Sequence, residues 1–77
     1  MTIKTIDVRD VGKGIMMLEI KLDEGEINIL FDGFHIYDSG REIGFTLGTE
    51  PSGYLEGYEI IDLVGPVLGS KVGDYAD

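Results

Sequence analysis

Ile27-Asn28-Ile29-Leu30-Phe31-Asp32-Gly33-Phe34-His35-Ile36-Tyr37 is the stretch on which the fold turns. Two runs of strand-forming residues flank a two-residue Asp-Gly pair, and that pair is a preferred type I′ hairpin connection because both of its central positions tolerate positive φ. The reading sets Phe31 opposite Phe34, Leu30 opposite His35, Ile29 opposite Ile36 and Asn28 opposite Tyr37. Side chains alternate across a strand, so Ile27, Ile29, Phe31, Phe34 and Ile36 share one face, and Asn28, Leu30, His35 and Tyr37 share the other.

The turns on either side extend this face. Asp23-Glu24-Gly25-Glu26 and Asp38-Ser39-Gly40-Arg41 are glycine-containing tight loops. The first predicts Leu22 beside Ile27, Ile20 beside Ile29 and Leu18 beside Phe31. The second predicts Tyr37 beside Glu42, Ile36 beside Ile43 and Phe34 beside Phe45. With Met16 and Leu47 at its ends, the apolar face runs through Met16, Leu18, Ile20, Leu22, Ile27, Ile29, Phe31, Phe34, Ile36, Ile43, Phe45 and Leu47 without a polar interruption. A first strand over residues 2–8 adds Ile6 and Val8 if Val8 meets Met16, and leaves Lys4 on the apolar side near an edge.

Such a face has to be covered, and residues 48–77 are the chain left to cover it. After the glycine- and proline-containing break at residues 48–53, residues 58–64 are rich in strand formers and Gly65-Pro66 is a stop signal, which predicts a sixth strand there. The spacing of Tyr54, Leu55, Tyr58 and Ile61 is that of a short helix, the alternative. The fold class read from the sequence is all-β, or mainly β. It is a small antiparallel meander of about five to six strands, curled into a partly open barrel or sheet, with one short helix in the C-terminal third as the variant. Residues 1–69 form a single acidic β domain and residues 70–77 a loose C-terminal tail.

Composition narrows the chemistry. The 77 residues contain no cysteine, so there is no disulfide, thiolate nucleophile or Cys-based zinc site. The N-terminus has no signal-peptide pattern and no run is long enough for a membrane span, so a cytoplasmic protein that binds no membrane is expected. Fifteen acidic residues against six basic ones give a net charge of -9, which argues against direct contact with nucleic acid and for a basic protein partner. The imbalance is uneven, because no Lys or Arg lies between Glu42 and Ser70.

Chemistry-bearing groups are sparse. His35, the one histidine, has no second histidine or cysteine to make a metal site and no evident acid-base partner. Ser39, Ser52 and Ser70 sit beside glycines in turns and lack a nucleophile elbow. The acidic turn at residues 23–26 lacks the alternating ligands of a calcium loop. The expectation is therefore a protein that is no enzyme, with no cofactor, no metal and no catalytic residue.

Its leading partner-binding surface is Glu50, Tyr54, Glu56, Tyr58, Glu59 and Asp62, where carboxylates supply charge and tyrosines supply contact area. An alternative site on the outward sheet face combines Lys21, His35, Tyr37 and Glu42. That assignment comes from the predicted rows Lys21-Asn28-Tyr37-Glu42 and Glu19-Leu30-His35-Gly44. The functional expectation is a small acidic protein-interaction domain that engages a basic surface on a larger protein, such as a nucleic-acid-binding protein, in the manner of a phage-like inhibitor or nucleic-acid mimic. The alternatives are a structural or assembly subunit, virion-like or a homo-oligomer joined through β edges, and a small ligand-binding domain using the face of His35 and Tyr37.

Overall fold

The computed structural model describes residues 2–37 and 40–72. The chain is mainly β: among the described residues six antiparallel strands precede one helix. In order they are β1 (Ile3–Gly12), β2 (Ile15–Leu22), β3 (Gly25–Phe31), β4 (Gly33–Tyr37), β5 (Glu42–Leu47), β6 (Glu50–Glu56) and α1 (Tyr58–Val72). Among the described residues the strands divide into two three-stranded sheets, β1-β2-β3 and β4-β5-β6, and no barrel closes.

The Asp32-Gly33 hairpin expected from the sequence is not formed. β3 and β4 do not pair, and neither Asp32 nor Gly33 has the positive φ that a type I′ turn requires. The pair is instead the corner where the chain leaves one sheet for the other. Asp32 holds that corner from both ends of its residue: its N–H donates to the Thr46 carbonyl at 2.9 Å, and its Oδ2 accepts from the Gly48 N–H at 2.9 Å. Phe31 and Phe34 still meet across the corner as an edge-to-face pair, with Phe45 completing the aromatic cluster.

The tight positive-φ hairpin lies elsewhere. Lys13 and Gly14, at φ 60° and 78°, join Gly12 to Ile15, so that β1 runs beyond the residues 2–8 expected for it. Lysine pays a steric penalty in this left-handed conformation that asparagine largely avoids. Lys13→Asn is therefore expected to stabilise the protein by about 0.5 kcal/mol, read as a rise in melting temperature of about 2–4 °C.

Within the first sheet each register is offset by two residues from the prediction. Leu22 pairs with Gly25, Ile20 with Ile27, Leu18 with Ile29 and Met16 with Phe31; Val8 meets Leu18 rather than Met16. The cause is the shorter turn, Asp23-Glu24, which returns Gly25 and Glu26 to β3. An even offset keeps every side chain on its face, so the apolar face survives the correction. Between β4 and β5 the register is as predicted, with Tyr37 opposite Glu42, Ile36 opposite Ile43 and Phe34 opposite Phe45. Lys4 is not on the apolar side. An extra residue in β1 at this point gives Ile3 the inward position and leaves Lys4 exposed, 4.0 Å from Asp23.

The core lies between the two sheets and under α1. Val8, Leu18, Ile20, Ile29, Phe31, Ile36, Ile43, Phe45 and Leu55 are buried from the strands; Ile60, Ile61, Val64 and Leu68 are buried from the helix. The β3 strand packs across β5 and β6, and α1 packs on β1 and β6.

Two expectations for the C-terminal third are corrected. Residues 50–56, of which 50–53 belong to the break expected over 48–53, are the sixth strand, and residues 58–64, read as that strand, begin α1. Tertiary placement overrides propensity here, because Ile60, Ile61, Val64 and Leu68 recur at helical spacing and all four are buried. Nor does Pro66 end the helix: it lies on the exposed side, where water can satisfy the Asp62 carbonyl that loses its N–H partner. The tail expected over residues 70–77 gives its first three residues to α1, and residues 73–77 lie outside the described residues. Among the described residues no helix is long and apolar enough to cross a membrane.

Candidate functional site

The outward face of the second sheet is ordered by its register. One row across the three strands is Tyr37-Glu42-Glu56, and the next is His35-Gly44-Tyr54. Alternation sends Ile36, Ile43, Phe45 and Leu55 to the core and these six residues outward.

Gly44 is the low point of the platform. A side chain there would come within 3.2 Å of the Tyr37 ring, which lies over the bare backbone. The His35 ring packs against Tyr37 with centroids 4.5 Å apart. On the far side the Tyr54 hydroxyl donates to Glu42 Oε1. That bond spans adjacent rows and holds the aromatic ring beside the carboxylates. Tyr37 and Tyr54 are 50% and 53% exposed, enough for each to give a partner a ring face while keeping its base packed.

This geometry merges most of two sites that the sequence keeps apart. His35, Tyr37 and Glu42 from the sheet-face site stand in the same two rows as Tyr54 and Glu56 from the acidic site. Lys21 does not join them. It belongs to the first sheet, between Thr5 and Glu26, so the predicted row Lys21-Asn28-Tyr37-Glu42 is broken at the corner between the sheets. Glu19 and Leu30 likewise stay on the first sheet, where Glu19 pairs with Arg9 at 3.1 Å.

The remaining acidic positions surround the platform's β6 side in the chain. Glu50 opens β6 opposite Leu47, and Glu59 and Asp62 are exposed on α1. Tyr58 begins α1, and its side chain lies outside the described ones. The strand and helix are joined at Gly57, whose N–H donates to the Arg41 carbonyl at 2.9 Å and whose carbonyl accepts from the Ile61 N–H. Glu56 and Glu59 thus flank a fixed joint.

The sequence reading misses the link from Tyr54 to Glu42. The available signal was the two-residue turn Gly48-Thr49 followed by the alternation of Gly53, Tyr54, Leu55 and Glu56, which marks a third strand of the same sheet. Compared with family models, with curated proteins and with solved structures, the chain matches none.

Proposed function

We propose that the protein is a non-catalytic acidic binding domain whose outward platform on the second sheet, continued onto the exposed side of α1, engages a basic surface of a larger protein. The observation that supports this most is the joining of exposed tyrosines and carboxylates in two adjacent rows, Tyr37-Glu42-Glu56 and His35-Gly44-Tyr54. Half-exposed aromatic rings supply buried contact area on binding, and the surrounding carboxylates supply attraction and orientation. From Glu42 to Asp62 the chain adds five carboxylates and no Lys or Arg, so carboxylates outnumber the neighbouring Arg41 and the balance on this side is acidic. A protein surface that itself holds nucleic acid has the complementary charge, and the inhibitor or mimic role is a form of the same reading.

Charge and aromatic contact act on different rate constants, which gives the test. With a captured partner, Glu56→Gln/Glu59→Gln is expected to slow association about three- to tenfold at low salt and to lose that effect at high salt. Tyr54→Ala is expected to leave association nearly unchanged and to speed dissociation about tenfold or more. Surface plasmon resonance across a salt series measures both. Association that ignores salt in the first variant, with unaltered dissociation in the second, removes this platform as the contact.

A further inference from the structure

Four strands have a sheet edge: β1 and β3 in one sheet, β4 and β6 in the other. Exposed edges invite pairing with another chain, and natural proteins blunt them with bulges, prolines, charges, short strands or a covering element. β1 has two bulges and carries Lys4, Asp7, Arg9 and Asp10; β6 has a bulge and Pro51; α1 packs on both strands. β4 is five residues long, and Asp38 beyond it lies outside the described residues. β3 differs from all of them. It is seven residues long, keeps unbroken register with β2, contains no proline or base, and pairs with no strand on its other side among the described residues.

We infer that the free edge of β3 accepts an extended segment of the basic partner as an added strand. This rests on the reading of the partner as basic, and it names a contact separate from the tyrosine platform. The charge pattern selects the segment. Glu26 and Asp32, both exposed, bracket the uncharged run Ile27-Asn28-Ile29-Leu30-Phe31, about 20 Å apart along an extended strand. No Lys or Arg lies between Lys21 and Arg41. A complementary strand has apolar side chains beside Ile27, Ile29 and Phe31, small polar ones beside Asn28 and Leu30, and a cation at each end.

The same pattern disfavours a second copy of this chain. Antiparallel self-pairing of β3 centred on Ile29 would put Glu26 opposite Asp32 of the other copy at both ends of the ladder, between two bodies that each carry a net charge of -9. Like charges directly opposite destabilise a strand pair. An added strand gains its affinity from backbone hydrogen bonds and its selectivity from alternate side chains, which is how edge recognition works in general.

The probe is an acetylated, amidated heptapeptide, Lys-Val-Thr-Val-Thr-Val-Lys, whose valines meet Ile27, Ile29 and Phe31 and whose lysines meet Glu26 and Asp32. The control has the same charge with proline at its central valine. Amide exchange and chemical shifts are followed by NMR. The expected result is slowed exchange of the β3 amides that point away from β2, caused by the valine peptide and not by the proline peptide. Affinity should fall about three- to tenfold in Glu26→Gln/Asp32→Asn, whose replacements keep size and, at Asp32, an acceptor for Gly48. Equal binding of both peptides with shifts at Tyr54 and Glu56 overturns strand addition while leaving the basic-partner reading intact. Millimolar peptide without effect on β3 overturns it as well, and concentration-dependent protection of β3 without peptide overturns it in favour of a second copy.

Discussion

Ile29→Asp is expected to leave no folded protein at 25 °C. Ile29 lies in β3 with 5% of its surface exposed, pairs with Leu18 and packs against the bare backbone of Gly53 in the opposite sheet. No buried polar or charged residue stands among the described core residues to receive a carboxylate. Burying an unpaired carboxylate costs several kcal/mol even after protonation or local opening, and a domain of this size is stable by roughly 5 kcal/mol. The outward neighbour gives the contrast: Asn28→Asp should keep the fold. Far-UV circular dichroism and the dispersion of the amide spectrum separate the two. A dispersed, cooperatively melting Ile29→Asp would mean that the inward assignment of β3 is wrong.

Gly53→Ala should be nearly as damaging, although it adds one methyl group. That carbon would stand 2.7 Å from Ile29 Cγ2, 2.9 Å from Cδ1 and 3.0 Å from Cγ1. All three are inside the distance that packed carbons tolerate, and Ile29 is buried with little room to turn. The two sheets therefore have to separate or Ile29 has to leave its rotamer, at about 2–3 kcal/mol, which lowers the melting temperature by about 10–20 °C. Shortening the obstacle should recover part of the loss. In an Ile29→Val background, which lacks Cδ1, the cost of Gly53→Ala is expected to fall by about 1 kcal/mol, and urea unfolding of the four proteins measures that coupling. Equal costs in both backgrounds would place the strain elsewhere.

The face of each strand could be read from residues, whereas the partner of each strand could not. Alternation of Leu18, Ile20, Ile27, Ile29, Phe31, Phe34, Ile36, Ile43 and Phe45 survives any even slip, so one turn misjudged by two residues moved the register of β2 and β3 and spared the core. Asp32-Gly33 misled for a reason outside the local chain: Thr46 and Gly48, more than a dozen residues onward, supply the hydrogen bonds that hold Asp32 at the corner between the sheets. Local turn chemistry has no access to partners at that distance.

The candidate site was affected by the same error. Breaking the sheet at the corner removed Lys21 from the platform, and recognising β6 as a strand brought Tyr54 and Glu56 onto it. Pro51 and Gly53 concealed that strand. Pro51 is tolerated because β6 is an edge, and Gly53 is required where Ile29 crosses it, so the two residues that argue against a strand are accounted for by its surroundings.

The placement of α1 on β1 orders the assembly of the molecule. Each sheet joins strands that follow one another along the chain, so both can form from neighbouring segments with little loop entropy to overcome. The helix instead brings the end of the described chain back to its beginning, the most distant of the packing partners. Sheets that form early stay uncovered along β1 and β6 until that return is made. The interval before helix docking is thus when a growing chain presents the most apolar surface to its surroundings, and the segment made after all six strands is the one that ends it.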